Sequence, residues 1–215
     1  MGALAQSGAL ADTFSAVFSL PRRQVGLVTA ALALVILLGG VRRVADASSV
    51  LVPVMALLYI GGGLAVILGN LPRLPGALAL GGALGTVTRQ SAIRWGVARG
   101  IFSNEAGLGS AAVTAACADT EDPVRQGLIS MTGVFFDTTV ICTVTGLAIC
   151  CSGVLGTADG AGAPLTGAAL TIRAFETVLG PWAGWLISIS LGLFAFTSIL
   201  GCAVLEDTAA VYLLG

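Results

Sequence analysis

Residues 100–110 read GIFSNEAGLGS and place a carboxylate, an amide and three glycines between stretches apolar enough for a lipid bilayer. This composition predicts a membrane helix that is interrupted near its middle. A helix that breaks at membrane depth frees carbonyl groups at one end and N–H groups at the other, and these groups need partners other than lipid. A bound cation and a bound carboxylate would satisfy them, so the segment predicts a solute-binding site inside a membrane transporter.

The overall composition is that of an all-α polytopic membrane protein. Apolar residues make up 56% of the 215-residue chain and charged residues 10%, whereas about a quarter of the residues in soluble domains are charged. The mean hydropathy is +0.99. The net charge of −1 leaves no basic surface for nucleic acid, so we exclude nucleic-acid binding and expect the lipid bilayer as the surrounding partner.

The chain lacks histidine and lysine, and this argues against an enzyme. Ser-His and Ser-Lys nucleophiles, Schiff-base chemistry, a Walker lysine and histidine metal ligands are all excluded. The five cysteines show no CxxC spacing and are expected to be small packing residues. Within the apolar runs, Glu105 and Asp137 are the candidate acids. Asp137 is either an ion ligand or a hydrogen-bond partner between helices, and we expect the hydrogen bond.

Hydropathy and turn residues predict one membrane domain built from helices of spanning length. A polar hairpin containing Asp46 is expected before the third helix, with Pro53 in that helix's first turn, and a new element is expected over 208–214. The predicted helices are 1–19 (the latter half of a helix), 24–42, 50–69, the broken helix 86–102 and 106–118, 127–155, a surface helix over 165–176, and 181–205.

Several spaced motifs resemble the alanine or glycine:cation symporter family, the sodium:alanine symporters. The central motif is GIFSNEAGLGSA, preceded by WGVAR at 95–99. The likeness continues through DPVRQG at 122–127, FDT at 136–138, CTVTG at 142–146 and FAFTSILG at 194–201. The resemblance covers nearly the whole chain.

The resemblance implies a LeuT-like fold of two inverted five-helix repeats, with substrate and sodium near the midplane between two broken helices. By that pattern the chain runs from the end of core helix 3 through core helix 8, and 86–118 is core helix 6. The implied function is sodium-coupled symport of alanine or glycine across the plasma membrane, here a bacterial inner membrane. The alternative is a non-transporting fragment or degenerate copy, because the family's first core helix has no counterpart in this sequence.

The resemblance also implies a substrate site at and near the break. Asn104 either contacts substrate or satisfies freed backbone groups, and Phe102 either covers the substrate or packs in the core. Gln6 is either a substrate contact or a polar residue near the start of the chain. The implied substrate-binding residues are Gln6, Phe102, Ser103, Asn104, Gly107 and Cys202.

Thr197 and Ser198 match a hydroxyl pair that resembles the second sodium site of this fold. Alternatively, such hydroxyls bond back to a carbonyl one turn earlier. Three further residues are expected to support the break. Glu105 is either a catalytic or proton-relay acid or an acceptor of backbone N–H groups that pairs with Arg99, and we expect the second role. Gly109 either permits close backbone approach or packs as a small residue between helices. No cofactor and no metal other than Na⁺ is expected.

The geometry of a broken helix suggests how a zwitterionic amino acid is held. Its carboxylate takes N–H groups of the second half-helix near Ala106, and carbonyls around 100–103 take the ammonium group or sodium. One position departs from the family pattern. A tryptophan usually follows Leu200-Gly201 in the family, and here Cys202 replaces it. This substitution predicts a pocket that admits a larger substrate or a copy that has drifted.

Overall fold

The computed structural model describes residues 2–82, 89–104, 107, 109–116, 118–158, 162 and 164–214. These residues form ten α-helices and no β-strand. The helices are α1 (Gly2–Phe18), α2 (Arg22–Leu37), α3 (Gly40–Gly69), α4 (Leu74–Gly82), α5 (Arg89–Ser103), α6 (Ser110–Ala116), α7 (Pro123–Val134), α8 (Cys142–Ser152), α9 (Gly167–Leu179) and α10 (Trp182–Leu214). A 3₁₀ turn, Leu71–Arg73, precedes α4, and a π-helical stretch, Phe135–Ile141, joins α7 to α8.

Three helices in the described part are long and apolar enough to cross a membrane. They are α3, the continuous helix Pro123–Ser152, and α10. The sequence also predicts a spanning helix over 24–42, where the structure has α2 with 16 residues. These residues extend about 24 Å at 1.5 Å per residue. A bilayer core is about 30 Å thick, so α2 is shorter than a full span.

The turn between α2 and α3 lies earlier than the sequence predicts. The structure breaks the chain at Gly39, and Gly40 has a left-handed φ of +74°, which costs glycine little. The predicted hairpin around Asp46 is instead part of α3, where the Ser49 hydroxyl donates to the Asp46 carbonyl at 2.8 Å. Pro53 consequently lies inside α3 and not in its first turn.

Helix α9 is amphipathic, but its apolar face is buried in protein and not laid on a membrane surface. Ile172, Ala174 and Phe175 are buried, and α9 packs against α3, α8 and α10. On the opposite face, Arg173 donates to Glu176 at 3.1 Å. The predicted surface helix over 165–176 is therefore corrected to a core helix. In the folded protein, α3, α8 and α10 cover the apolar face of α9 that the sequence predicts to lie against lipid.

The main core lies where α3, α8, α9 and α10 meet. Tyr59 on α3 is 3% exposed, contacts the rings of Phe175 and Phe194, and shares a 2.8 Å hydrogen bond with the Thr145 hydroxyl on α8. Without a strong hydrophobic force between helices in lipid, such close packing and interhelical hydrogen bonds stabilise a membrane fold. This core supports the wall of the cavity described below, because Phe194 contributes to both.

Helix α10 continues to Leu214 without interruption, so the predicted new element over 208–214 is part of it. Its N-terminal half packs along α1. At Gly192 the two helices approach so closely that an added Cβ would overlap the ring of Phe14. Small residues permit this approach, and it brings the polar side chains of α1 beside those of α10.

Candidate functional site

The helix interruption lies between α5 and α6. Helix α5 ends at Ser103 and α6 begins at Ser110. Gly107 and Gly109 have φ values of +83° and +80°. Glycine adopts this left-handed backbone without the Cβ clash that other residues suffer. The helix therefore cannot continue through Gly107 and Gly109, and these two glycines of GIFSNEAGLGS are needed for their backbone conformation.

Asn104 closes the first half of the broken helix. Its backbone N–H donates to the Gly100 carbonyl at 3.1 Å, and its side-chain Nδ2 donates to the same oxygen at 3.0 Å. Its Oδ1 accepts a hydrogen bond from the Thr138 hydroxyl at 3.1 Å. The side chain thus satisfies a freed carbonyl and also ties the break to the π-helical stretch.

A second hydrogen bond joins the same two elements. The Ser103 hydroxyl donates to Asp137 Oδ2 at 3.1 Å. Asp137 lies in the π-helical stretch, where Cys142 N–H bonds to the Asp137 carbonyl five residues earlier. π-Helical turns are uncommon and occur often at functional sites. The wider turn changes the direction of neighbouring side chains, and Asp137 and Thr138 both reach the end of α5.

A cavity of about 800 Å³ opens beside this junction. Its wall is formed by side chains from six elements of the described fold: α1, the two halves of the broken helix (α5 and α6), the π-helical stretch, α9 and α10. The lining residues are Gln6, Ala9, Leu10, Thr13, Ser103, Ser110, Thr114, Asp137, Ala168, Leu191, Phe194, Ala195, Ser198, Gly201, Cys202, Leu205 and Glu206. The wall is mostly apolar with a few polar groups, which is the usual character of a small-molecule site.

Four of the residues predicted from the sequence meet at this cavity: Gln6, Ser103, Ser198 and Cys202. Ser198 lines it, whereas the Thr197 hydroxyl bonds back to the carbonyls of Leu193 and Phe194, both at 3.0 Å. The two hydroxyls of the predicted sodium pair therefore differ in their surroundings.

The remaining predicted residues divide into two groups. Gly107 and Gly109 are exposed in the turn between the half-helices. The side chains of Arg99 and Phe102, and Glu105 as a whole, lie outside the described residues. The predicted Glu105–Arg99 pair stays a prediction.

The cavity also contains polar residues that sequence reasoning missed, namely Thr13, Ser110, Thr114 and Glu206. The Ser110 Oγ is buried and has no hydrogen-bond partner in the described structure. The signal available in the sequence was its position directly after the last glycine of the break. Thr13 and Glu206 gave no comparable signal because they belong to helices whose cavity-facing side depends on the packing of α1 against α10.

The polar groups that line the cavity are mostly oxygen donors. The described residues contain no cluster of three or more histidine, cysteine, aspartate or glutamate side chains. Hydroxyl, amide and carboxylate oxygens line the cavity instead. Hard cations prefer oxygen ligands, so the wall offers suitable groups for Na⁺ or an ammonium group.

Comparison with known proteins gives a consistent result. The sodium:alanine symporter family matches residues 1–215. The sodium/alanine symporter AgcS of Methanococcus maripaludis is 37% identical over 100% of this chain and 48% of its own length. An uncharacterized transporter of Haemophilus influenzae is 42% identical over 100% of this chain and 49% of its own length. The probable sodium/glutamine symporter GlnT of Bacillus subtilis is 41% identical over 91% of this chain and 41% of its own length.

The chain spans about half the length of these curated relatives. The family match nevertheless extends over every residue of the chain and includes the broken helix and the cavity-lining parts of α1 and α10. The family is one of transporters and not of enzymes. The chain belongs to the sodium:alanine symporter family.

Proposed function

We propose that the protein carries a small neutral amino acid, alanine or glycine, across a bacterial inner membrane together with Na⁺. The observation that supports this most directly is the cavity beside the helix break. It gathers Gln6, Ser103 and Ser198 from three separate helices beside apolar side chains of α10. A zwitterion with a short side chain needs this combination of a few polar groups and a close apolar wall.

The unpaired hydroxyl of Ser110 supports a place for the substrate carboxylate. Its oxygen is buried in the cavity wall at the start of α6 and has no partner in the described structure. A buried polar group without a partner is costly, so a ligand that accepts its hydrogen bond gains affinity. The amide of Gln6 lies across the same cavity on α1 and offers a second polar contact.

The geometry favours Ser198 over Thr197 as a sodium ligand. Ser198 lines the cavity, and the Thr197 hydroxyl is directed to carbonyls of its own helix. A sodium ion bound at Ser198 on α10 would lie between this helix and the break. Binding of the ion and of the amino acid would then stabilise the same closed arrangement, and this is the thermodynamic basis of coupling.

Uptake in a sodium gradient tests the proposal. Vesicles containing the protein are expected to accumulate radiolabelled alanine only when the external Na⁺ concentration exceeds the internal one, because the two binding events are coupled. Potassium replaces sodium in the control vesicles at equal ionic strength. Equal uptake above that of protein-free vesicles under both conditions would contradict sodium coupling. Absence of uptake under both conditions would favour a non-transporting copy.

A larger neutral amino acid is a second candidate substrate. Cys202 lines the cavity at the position where the family resemblance implies tryptophan, and one relative is named a probable sodium/glutamine symporter. A thiol in place of an indole leaves room for a longer side chain. The cavity volume of about 800 Å³ exceeds what alanine fills.

The Cys202→Trp variant tests the size of the substrate. We expect glutamine to inhibit alanine uptake by the parent protein. In the variant, the glutamine concentration that halves alanine uptake is expected to rise at least tenfold, because the indole fills the space of the longer side chain. Cys202→Ser, which keeps a side chain of similar volume, is the control and is expected to leave glutamine inhibition unchanged. Unchanged glutamine inhibition in Cys202→Trp would exclude Cys202 as a determinant of size.

The complete LeuT-like inverted repeat stays a prediction, and a multi-pass arrangement in the cell membrane is part of the proposal. Three spanning helices in the described part are consistent with both. The broken helix and the cavity would then belong to a larger bundle with the substrate near its midplane.

A further inference from the structure

Asp137 lies at the middle of a membrane-spanning helix. It is the fifteenth of the 30 residues of Pro123–Ser152, and it is half-buried at the wall of the cavity. An ionised carboxylate at the bilayer centre is costly unless it is paired or faces a polar pathway, and such residues usually mark ion or substrate pathways. The position of Asp137 thus marks it as a candidate for binding a positive group in the cavity.

Among the described residues, no positively charged side chain pairs with the Asp137 carboxylate. The partner of the Asp137 carboxylate is the neutral hydroxyl of Ser103. The ion pairs among the described side chains join Arg22 to Asp12 and Arg173 to Glu176, and neither includes Asp137. In the described lining of the cavity, the charged residues are Asp137 and Glu206, which are both acids. The wall as described has an excess of negative charge.

The backbone at the break is a poorer cation site than the sequence suggests. The sequence predicts that carbonyls around 100–103 hold the ammonium group or sodium. The Gly100 carbonyl, however, already accepts two hydrogen bonds from Asn104. A carbonyl oxygen has two lone pairs, so this oxygen is fully used. The Asp137 carboxylate, in contrast, accepts one hydrogen bond from the described residues and has further acceptor sites on its two oxygens.

We propose that the Asp137 carboxylate and the Ser103 hydroxyl oxygen form a monovalent-cation subsite in this cavity. This inference depends on the proposed transport function, which it extends by naming the site of positive charge. The shared chemistry is a single positive charge coordinated by oxygen atoms. It comes either from Na⁺ or from the ammonium group of the amino acid.

The subsite connects cation binding to the shape of the broken helix. Ser103 is the last residue of α5, and the neighbouring Asn104 bonds to Thr138 beside Asp137. A cation held between Ser103 and Asp137 draws the end of α5 toward the π-helical stretch. Cation binding then stabilises the same α5 ending that shapes the cavity for the substrate.

Equilibrium binding to the purified protein, expressed from its complete gene, tests the subsite. Binding of ²²Na⁺ is measured without amino acid, and binding of radiolabelled alanine is measured at saturating Na⁺. We expect Asp137→Asn to weaken at least one of these bindings tenfold or more, since it removes the charge and keeps the shape. Asp119→Asn, on the exposed loop before α7, is the matched control and is expected to stay within twofold of the parent.

The two measurements separate the sources of charge. Loss of ²²Na⁺ binding identifies sodium as the occupant, and loss of alanine binding alone identifies the ammonium group. Ser103→Ala retains the carboxylate and is expected to weaken the same binding about threefold. If Asp137→Asn does not fold, the Ser103→Ala variant is the test of the subsite. Affinities within twofold of the parent for both ligands in the variants would overturn the proposal.

The test also separates this inference from the proposed transport function. A parent protein that binds ²²Na⁺ through Asp137 but neither binds nor accumulates alanine contradicts amino-acid symport and supports the subsite. A parent that accumulates alanine in a sodium gradient with unchanged kinetics in Asp137→Asn supports symport and overturns the subsite. A parent that binds neither ligand contradicts both.

Discussion

Replacing Asn104 with leucine is expected to lower sodium-dependent alanine uptake roughly a hundredfold, because small displacements at a binding site have effects of this size. The leucine side chain has a similar volume but loses the bond from Nδ2 to the Gly100 carbonyl and leaves the Thr138 hydroxyl without its acceptor. The end of α5 is then no longer tied to the π-helical stretch. Initial rates of uptake, normalised to protein in the membrane, measure the effect.

Asn70→Leu is a closely matched control. Asn70 ends α3 and its Nδ2 donates to the Val66 carbonyl at 3.1 Å, the same four-residue back-bond that Asn104 makes. Asn70 is not among the residues that line the cavity at the helix break. We expect Asn70→Leu to cost about 1 kcal/mol of stability and to retain uptake. Equal loss of uptake in both variants would show that Asn104 acts through stability alone.

Replacing Gly63 with alanine is expected to destabilise the fold by about 1–3 kcal/mol, the usual cost of overpacking a core. A Cβ on Gly63 would overlap Cγ1 of Val144 and would lie 3.5 Å from Cζ of Phe175. Val144 is buried on α8, and its β-branched side chain has one strongly preferred rotamer in a helix, so it cannot turn away without strain. Thermal unfolding in detergent, followed by tryptophan fluorescence, measures the effect.

Gly61 on the same helix provides the comparison. A Cβ on Gly61 meets no heavy atom within 4 Å, so Gly61→Ala is expected to be neutral or to stabilise the helix by up to about 1 kcal/mol. The two variants add the same methyl group two residues apart. A midpoint for Gly63→Ala equal to that for Gly61→Ala would contradict the close packing of α3 on α8.

Local backbone chemistry made the interruption of the helix predictable. Gly107 and Gly109 adopt left-handed φ values, and the adjacent polar residues need partners that lipid does not offer. The same reasoning misplaced the turn between α2 and α3. Polar residues near Asp46 suggested a hairpin, but a serine hydroxyl bonds back to the helix there, while Gly39 and Gly40 supply the turn.

The candidate site was predictable in part. The family resemblance pointed to Gln6, Ser103, Ser198 and Cys202, and the structure places all four at one cavity. It did not point to Ser110, whose importance comes from a hydroxyl left without a partner. Whether a polar side chain is satisfied depends on the atoms around it, and a sequence does not contain that information.

The sequence by itself determined the membrane character, the helix break and the family, because hydropathy, glycine conformation and motif spacing are local properties of a chain. The tertiary structure decided which polar groups meet. Ser103 and Asp137, 34 residues apart, share a hydrogen bond, and α9 is buried in the core instead of lying on a membrane surface. These outcomes depend on how the helices pack, since packing sets the direction of each side chain and the charge of its neighbours.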